Sequence, residues 1–303
     1  MDLFDQKGIQ PMLISEQVEP YDDEDSIFEI KLDGCRCVAY CDKDRVDLRN
    51  RRDRKLLPQF PELELIYKNC HGKCILDGEL IVPVGGKPDF YKLQKRTLST
   101  NPFKIELAIS RYPAAFVAYD ILYTNGKMLD KLPLMERKAI LSKMVSDSME
   151  LSVSRYIDKQ GKALFDLARE QQLEGVVGKK KNSLYWLGKR TKEWKKVKWM
   201  KDEDLICIGY IPKEHGMTSL IMARYDVDSQ LTIVTHVTLG VSRQKIQDIP
   251  KAECPFVRVP YGHENAVWIQ PVVCTIQYMP SDKEGFRQAV FKGFRDDKLP
   301  EEC

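Results

Sequence analysis

The stretch FEIKLDGCR, residues 28–36, places a lysine, Lys31, among apolar residues where a predicted strand ends. An Asp-Gly pair follows directly, and Arg36 comes just beyond it. Asp-Gly between two apolar runs is typical of a tight β-hairpin turn. The sequence therefore predicts a hairpin whose strands cover 26–31 and 35–42.

The position of Lys31 favours a chemical role over a purely solvating one. In such a corner the amine would be partly desolvated and close to Arg36, and both effects lower the pKa of a lysine. A lysine with a lowered pKa has its lone pair free for nucleophilic attack. The alternative is a structural lysine paired with Asp33 or Glu29, and the stretch by itself leaves both interpretations open.

The composition is that of a globular chain. Of its 303 residues, 43% are hydrophobic and 31% are charged, which allows one large domain or two ordinary ones. No apolar run approaches the roughly 20 residues of a membrane span. The opening residues, MDLFDQKGIQ, lack the basic-then-apolar pattern of a signal peptide. We expect a cytoplasmic protein without a membrane partner.

Positive charge is concentrated in residues 179–201, where ten Lys or Arg accompany a single acid. Aromatic residues interleave with these cations, so one side of the segment is expected to be packed. A half-buried basic stretch favours a polyanion such as phosphate, nucleotide or nucleic acid. The alternative is an ordinary solvated face.

The pattern of apolar and polar residues changes after about two thirds of the chain. Residues 1–200 mix apolar strands with helical periodicity over 133–147 and 159–172, which indicates an α+β domain. Residues 201–303 repeat short β-rich runs between turn signals, which indicates a β-barrel of about five strands, such as an OB-fold. A second apolar–Asp-Gly–apolar segment, 74–84, predicts a second hairpin.

Further segments carry side chains suited to phosphate chemistry. Glu79 of LDGEL and Glu174 of EGVVGKK come from separate strands, and two such carboxylates can hold a hard divalent cation. Lys196 and Lys198 share one face of WKKVKW, as a clamp for phosphate oxygens, and Tyr119 of AYD offers an aromatic surface to a base. Each has an ordinary structural explanation, but together they are the parts needed to transfer a nucleotide through phosphorus.

The nine cysteines are irregularly spaced, and CHGKC, residues 70–74, is the one metal-like cluster in the sequence. It lacks a second ligand pair at zinc-finger spacing. Small buried thiols are therefore the preferred interpretation, and zinc is the alternative. The sequence assigns no role to Cys70, His71 and Cys74.

In this order the segments resemble the motifs of the covalent nucleotidyltransferases, and among them the ATP-dependent DNA ligases. KLDGCR is similar to the lysine motif K-x-D-G-x-R, with Lys31 at the nucleophile. LRNRRD is similar to the next motif, with Arg49 at its arginine, although Leu48 and Arg51 replace the usual Ser and Gly. LDGELIV and AYDIL resemble the third motif and its companion, with Tyr119 where phenylalanine is usual.

The resemblance continues to the end of the chain. EGVVGKK and SLYWLGKRTKEWKKVK resemble the fourth and fifth motifs with their connector. Within FRQAVFKGFRDDK, Arg295, Asp297 and Lys298 match the C-terminal motif R-x-D-K. The nearest subgroup is the ligase module of bacterial ligase D. The resemblance implies a nucleotidyltransferase (adenylyltransferase) domain of antiparallel sheets and helices, followed by an OB-fold domain.

The resemblance also implies a role for each matched residue. Lys31 would form a lysyl–AMP intermediate with ATP, and Glu79 and Glu174 would bind Mg²⁺ or Mn²⁺. Arg49, Arg190 and Lys192 would contact DNA. The implied nucleotide contacts are Glu29, Ile30, Arg36, Glu79, Tyr119, Glu174, Lys179, Lys196, Lys198, Arg295 and Lys298.

The implied activity is the sealing of 5′-phosphate/3′-hydroxyl nicks in double-stranded DNA by a monomer at the bacterial nucleoid, with a role in DNA repair. Ligase D relatives imply Ku or other end-joining proteins as partners. The nearest alternative is an RNA ligase or an mRNA-capping-type nucleotidyltransferase. A more distant one is a single-strand-binding protein without enzymatic activity, which would form no lysine adduct.

Overall fold

The chain divides into two compact units, Met1–Lys198 and Trp199–Cys303. The computed structural model describes residues 3–241, 244, 246, 248–280 and 285–303. Along these residues, no helix has the length and apolar character that crossing a membrane requires.

Over the described residues, the first unit contains thirteen strands and five short α-helices. In chain order the strands are β1 (Leu13–Gln17), β2 (Ser26–Ile30), β3 (Cys35–Cys41), β4 (Val46–Asn50), β5 (Cys74–Ile81), β6 (Pro83–Val84), β7 (Lys87–Pro88), β8 (Ala115–Thr124), β9 (Lys127–Met128), β10 (Leu151–Val153), β11 (Tyr156–Asp158), β12 (Gly175–Lys180) and β13 (Arg190–Lys198). The α-helices are α1 (Leu3–Gln6), α2 (Phe90–Thr97), α3 (Pro102–Arg111), α4 (Leu134–Met144) and α5 (Gly161–Glu170).

These strands form two principal sheets. The five-stranded sheet has the order β1-β13-β12-β2-β11, and the six-stranded sheet has the order β10-β8-β5-β3-β4, with β9 paired to β8. Strand β1 runs parallel to β13 and β10 runs parallel to β8, whereas the other pairs within these sheets are antiparallel. The α+β class is confirmed.

Local sequence signals explain where the helices begin. The Asp89 side chain accepts a hydrogen bond from the Lys92 N–H at the start of α2, and the Asn101 side chain accepts one from the Lys104 N–H at the start of α3. The two segments with helical periodicity are confirmed as α4 and α5. The segment PELELIYKNC, residues 61–70, forms two short 3₁₀ helices, Pro61–Leu63 and Ile66–Asn69.

The predicted hairpin around Asp-Gly is wrong. Strand β2 pairs with β11 and β12 in the five-stranded sheet, whereas β3 pairs with β4 and β5 in the six-stranded sheet. The segment between them therefore crosses from one sheet to the other. Asp-Gly is a local turn signal, and it cannot determine which strand each flanking segment will pair with.

The second predicted hairpin is also wrong, because β5 continues through Asp-Gly without turning. Glycine is needed here for a different reason. A Cβ atom on Gly78 would lie 2.4 Å from the Val117 carbonyl oxygen and 2.5 Å from the Phe116 ring. The glycine thus allows β5 and β8 to approach closely.

Strand β3 is buried on both faces, which explains its nearly continuous apolar sequence. Cys37, Ala39 and Cys41 enter one hydrophobic cluster, together with residues of β5, β8 and α4. Val38 and Tyr40 point the other way, into a second cluster that includes residues of β2, β12 and β13. The second cluster joins the two sheets, and the site described below lies beside it.

The second unit forms a five-stranded sheet with the order β16-β15-β14-β17-β18. A bridge between Leu239 and Val290, with a 2.9 Å hydrogen bond from the Phe291 N–H to the Leu239 carbonyl, links the region after β16 to β18. This link joins the two edges of the sheet and closes the barrel of an OB-fold, as predicted. The strands are β14 (Lys201–Pro212), β15 (Thr218–Tyr225), β16 (Leu231–Val237), β17 (Val267–Met279) and β18 (Arg287–Phe294).

Candidate functional site

Lys31 lies at the crossing between the two sheets of the first unit. Its backbone N–H donates a 2.9 Å hydrogen bond to the Gly175 carbonyl, which fixes the end of β2 against the start of β12. A Cβ atom on Gly34 would lie 2.4 Å from the Leu80 carbonyl oxygen and 2.7 Å from Glu79 Cγ. The crossing segment therefore packs directly on β5, and glycine is required at this point.

The Lys31 amine is paired with a buried carboxylate. Lys31 Nζ lies 2.7 Å from Glu174 Oε2, and Lys198 Nζ lies 2.9 Å from Glu174 Oε1. Burial disfavours the charged carboxylate, but the two ammonium groups hold the pKa of Glu174 below its usual value. Burial and the charges of Lys198 and Lys31 lower the pKa of Lys196, which lies on β13 with Lys198. Two lysines thus pair with Glu174, and Lys196 lies two residues before one of them on β13.

Arg36 faces this group from the neighbouring sheet. Its Nε and Nη2 donate to both oxygens of Asp77, at 2.6 and 2.5 Å. The Tyr185 hydroxyl donates to the same carboxylate at 2.6 Å. Asp77 is fully buried, and its charge-assisted bonds with Arg36 orient the guanidinium. The carboxylate of Asp77 is therefore fully engaged in positioning Arg36.

Glu79 lies directly opposite Arg36 in the pairing of β3 with β5. Burial raises the pKa of Glu79 to about 8, and the nearby carboxylates Glu174 and Asp77 act in the same direction, against the opposing charges of Lys31 and Arg36. Glu79 is consequently protonated near neutral pH in this state of the protein. A cation that entered beside it would favour ionisation.

The Glu79→Gln variant should remove a pH dependence of stability. The unfolded carboxyl group ionises near its ordinary pKa of 4.5, whereas the folded one retains its proton up to about 8. Between these values the folded state binds more protons, so the free energy of unfolding falls as pH rises, by at most about 1.4 kcal/mol per pH unit. Urea unfolding across this range should show a shallower fall for Glu79→Gln. The exposed Glu106→Gln control should follow the wild type, and parallel profiles for all three proteins would contradict the shift.

Glu29 is buried at the same end of β2. It forms ion pairs with Lys138 of α4 and with Lys179 of β12, the latter at 3.1 Å, and it accepts a 2.8 Å hydrogen bond from the Ser154 hydroxyl. Burial disfavours its charged form, but the two lysines lower the pKa of Glu29 below its usual value. Its carboxylate is thus held rigidly at the base of the site.

An aromatic surface lies between these charged groups. Arg36 Cζ is 4.9 Å from the centroid of the Tyr119 ring, and Lys179 Nζ is 4.5 Å from the same centroid. Lys179 also lies 4.1 Å from the Trp194 ring. Burial lowers the pKa of Lys179 to about 8, despite the opposing charge of Glu29. Arg36 occupies the position over Tyr119 at which a planar ligand would stack.

One cleft brings together much of the predicted site. Residues from both sheets line this cleft, and they include most of the predicted nucleotide-binding residues of the first unit. The predicted residues that line it are Glu29, Ile30, Lys31, Arg36, Glu79, Tyr119 and Lys179. Glu174 joins this group through its ion pair with Lys31.

The predicted DNA contacts lie in different surroundings. Arg49 pairs with Asp47 at 3.0 Å and with Asp53 at 2.9 Å, so two carboxylates already surround its guanidinium. Arg190 donates to the Ile14 carbonyl at 2.8 Å, and Lys192 pairs with Glu16 at 3.0 Å while its side chain is 79% exposed. Arg190 and Lys192 are exposed on β13, whereas Arg49 is half-buried.

The C-terminal motif is organised by Asp204 within the second unit. Arg295 pairs with Asp204 at 3.0 Å and with Asp297 at 2.8 Å, and Lys298 pairs with Asp204 at 3.2 Å. The Thr275 hydroxyl also donates to Asp204, at 2.7 Å. The motif's two cations therefore share one carboxylate.

Sequence reasoning missed several supporting residues. Tyr185, Lys138 and Asp204 orient the predicted groups, but each lies far along the chain from its partner. An open groove beside Arg36 and Gly34 was also missed, although the charge run RNRRDRK over 49–55 was a visible signal. From this charge run, Arg51, Arg52 and Arg54 line the groove, together with Arg36.

Comparisons with known proteins agree with this architecture. The family described as ATP dependent DNA ligase domain matches residues 10–198, and ATP dependent DNA ligase C terminal region matches residues 213–298. The SPbeta prophage-derived DNA ligase-like protein LigB of Bacillus subtilis is 28% identical over 282 residues, which cover 91% of this chain and 95% of that protein. Multifunctional non-homologous end joining protein LigD of Pseudomonas aeruginosa is 28% identical over 291 residues, which cover 89% of this chain but 34% of LigD.

The fold is shared with a solved structure, mycobacterial DNA ligase D complexed with ATP and MES. The TM-score is 0.58 at 24% identity, and the match covers 97% of each chain. None of the families and relatives named here supports the alternative of an RNA ligase or an mRNA-capping enzyme. The family match covers well over half of the chain. The chain therefore belongs to the family of ATP-dependent DNA ligases.

Proposed function

We propose that this chain seals 5′-phosphate/3′-hydroxyl nicks in duplex DNA through a covalent intermediate on Lys31. The Nζ atom attacks the α-phosphorus of ATP, so that an N–P bond forms, pyrophosphate leaves and the amine releases a proton. A DNA 5′-phosphate then displaces lysine from AMP. Finally the 3′-hydroxyl attacks the activated phosphate, which forms the phosphodiester bond and releases AMP.

The observation that carries this proposal is the surroundings of Lys31 Nζ. The side chain is 23% exposed, and it reaches a cleft that it shares with Arg36 and Tyr119. Lys196 and Lys198 add positive charge beside it. A nucleophilic amine among cations, next to an aromatic face, suits a nucleotide whose α-phosphate gains negative charge during attack.

The cleft walls supply the nucleotide contacts. We assign stacking on adenine to Tyr119 and recognition of the base edge to Glu29 and Ile30, beside the buried Lys179. Arg36 would move from the Tyr119 ring to the ribose and phosphate, still guided by Asp77. Lys196 and Lys198 would stabilise charge on the α-phosphate, because ammonium groups act there as point charges.

A divalent cation fits the carboxylates of this site. Mg²⁺ and Mn²⁺ prefer oxygen ligands, and Glu79 and Glu174 are the residues that would hold one of them together with the nucleotide phosphates. Glu79 would have to lose its proton to bind the ion, and the charge of the cation would favour that loss. The ion would neutralise charge on the phosphates.

Duplex DNA would contact the basic surface of the first unit. The groove lined by Arg51, Arg52 and Arg54 opens beside Arg36, so a strand lying in it would bring its end to the nucleotide. We assign further phosphate contacts to Arg49, Arg190 and Lys192. Binding of nicked DNA should weaken as salt rises, because phosphate contacts release counterions.

We further infer that the two compact units correspond to the two predicted domains, and that Arg295 and Lys298 act on the leaving pyrophosphate. This role requires the OB-fold to close over bound ATP, a known type of domain movement. The chain would work as a monomer at the bacterial nucleoid in DNA repair. Similarity to LigD favours Ku or another end-joining protein as partner.

Sealing of a labelled nick is the direct test of this function. ATP with a divalent metal should support conversion of nicked duplex DNA to a continuous strand, and α-labelled ATP should first label the protein. Matched nicks in RNA serve as the comparison. Faster joining of RNA ends, or use of GTP in place of ATP, would instead favour the alternative nucleotidyltransferases.

The Arg295→Ala variant should separate the first step from the last. Loss of the guanidinium should slow formation of the lysyl–AMP adduct by roughly 10²-fold, because a charge that stabilises the leaving group is removed. Sealing of a pre-adenylated nick, which releases no pyrophosphate, should change much less. The exposed Arg258→Ala control should preserve both rates. An equal loss in the two assays would contradict the assignment to pyrophosphate.

A further inference from the structure

Three cysteine thiols converge in the first unit, away from the residues assigned to the ligase reaction. The sulfur atoms of Cys41, Cys70 and Cys74 all lie within 4.8 Å of one another. In the part of the chain that the structure describes, no other group of three or more His, Cys, Asp or Glu places its ligand atoms so closely.

The fold brings Cys41 together with two thiols from a later part of the sequence. Cys41 ends β3 and Cys74 begins β5, and the two residues are directly opposite each other in the antiparallel pairing. Cys70 follows the second 3₁₀ helix, where its N–H donates to the Tyr67 carbonyl at 3.0 Å and a bridge pairs it with Val145. Backbone hydrogen bonding thus sets the position of each thiol independently of any ligand.

The arrangement has the chemistry of a structural zinc site. Cys70 and Cys74 have the C-x₃-C spacing that falls within the usual range for zinc ligands. Zinc–sulfur bonds of about 2.3 Å in a tetrahedral site place the sulfur atoms roughly 3.8 Å apart, which the observed cluster permits. Cys41 and Cys74 are buried and Cys70 is half-buried, so the cluster is largely closed to solvent, as structural sites are.

His71, the residue next to the cluster in sequence, is a candidate fourth ligand, although its ring nitrogens lie outside the group of ligand atoms within 4.8 Å of one another. His71 follows Cys70 directly, and its Nε2 lies 2.7 Å from the Ser146 hydroxyl oxygen. The backbone N–H of His71 donates a hydrogen bond to the Met144 carbonyl at 2.8 Å, which ties the loop to the end of α4. Histidines that bind metals commonly donate their other ring N–H to an oxygen, and Ser146 would be that partner if rotation of the ring brought Nδ1 to the metal.

We propose that Cys41, Cys70 and Cys74 bind one zinc ion, which clamps the loop before β5 onto the ends of β3 and β5, and that rotation of the His71 ring supplies the fourth ligand. The three thiols lose their protons on binding, and the metal replaces those protons. Zinc here would stabilise the fold and take no part in the proposed ligase chemistry. This inference does not depend on the proposed function.

Metal analysis of the full chain, purified with a phosphine reductant, provides the test. The wild type should contain about one zinc per chain. Replacement of the zinc ion by cobalt should produce both a thiolate-to-cobalt charge-transfer band and the visible absorption bands of tetrahedral cobalt. The Cys70→Ser variant should lose most of the zinc and the charge-transfer intensity, whereas Cys254→Ser, which alters a half-buried cysteine of the second unit, should retain both. The His71→Ala variant should keep the charge-transfer band but shift the visible bands.

A chelator experiment on the wild type makes the test independent of how well a variant folds. Removal of zinc should lower the Tm by several degrees, and added zinc should restore it, because a ligand that binds the folded state stabilises it. Chelation should leave the Tm of Cys70→Ser unchanged. Wild-type protein without zinc, a cluster joined by a disulfide, or equal zinc in the wild type and Cys70→Ser would overturn the proposal. Unchanged visible bands in His71→Ala would overturn the assignment of the fourth ligand.

Discussion

Replacing Lys31 by arginine is expected to abolish the covalent AMP adduct. Arginine keeps a positive charge that can still pair with Glu174, but its guanidinium does not deprotonate in proteins and cannot act as a nucleophile. Removal of a nucleophile of this kind should reduce adduct formation by roughly 10³-fold or more. Incubation with α-labelled ATP, followed by denaturing electrophoresis, measures the adduct directly.

Two comparisons make this result specific to the amine. The Lys162→Ala variant, which changes an exposed lysine at the start of α5, should form the adduct at the wild-type rate. The Lys31→Arg protein should still seal a pre-adenylated nick at a measurable rate, because the last step needs no attack by lysine. Labelled Lys31→Arg protein, with the label on another residue, would show that the nucleophile has been misassigned.

Replacing Arg137 by alanine is expected to lower the free energy of unfolding more than any other substitution proposed for this chain. Arg137 and Asp120 are completely buried and joined by two hydrogen bonds of 2.8 Å. Arg137 also donates to the Leu132 carbonyl at 2.6 Å and to the Ser183 carbonyl at 2.9 Å. Its removal leaves a buried charge and two buried carbonyls without this donor, which should lower the free energy of unfolding by about 3–5 kcal/mol.

Urea unfolding at neutral pH measures this loss, and an exposed ion pair supplies the control. In the pair between Arg155 and Asp147 the side chains are 84% and 41% exposed, so Arg155→Ala should cost less than about 1 kcal/mol. Combining Arg137→Met with Asp120→Leu should recover part of the stability, because no buried charge then remains. Equal losses for Arg137→Ala and Arg155→Ala would contradict the role assigned to the buried pair.

The Arg137 pair also shows how a motif can mix functional and structural residues. Asp120 follows Tyr119 in AYDIL, but the two side chains leave β8 in opposite directions. Tyr119 reaches the cleft, whereas Asp120 anchors β8 to α4. The sequence could predict that both residues matter, because an acidic residue inside a buried strand requires a partner. It could not identify that partner, which lies on a helix later in the chain.

Local patterns in the sequence determined the elements and most of the cleft. Alternation of side chains fixed which strand residues face the same side, and turn residues marked where many elements end. The α+β class, the five strands of the OB-fold and the two predicted helices α4 and α5 are therefore confirmed. The cleft groups Lys31, Arg36 and Tyr119 as the motifs predict, because each motif carries its side chain at a fixed position on its own strand or directly after it.

Only the tertiary structure decided which strands pair, and the assignments that depend on pairing could not be read from the sequence. Asp-Gly after Lys31 turned out to connect two sheets, which places Lys31 against Glu174 from a distant strand. In the same way, Cys41 meets Cys70 and Cys74 only because β3 lies beside β5. The physical reason is that local signals arise from neighbours along the chain, whereas strand partners are selected by burial and hydrogen bonding between segments far apart in it.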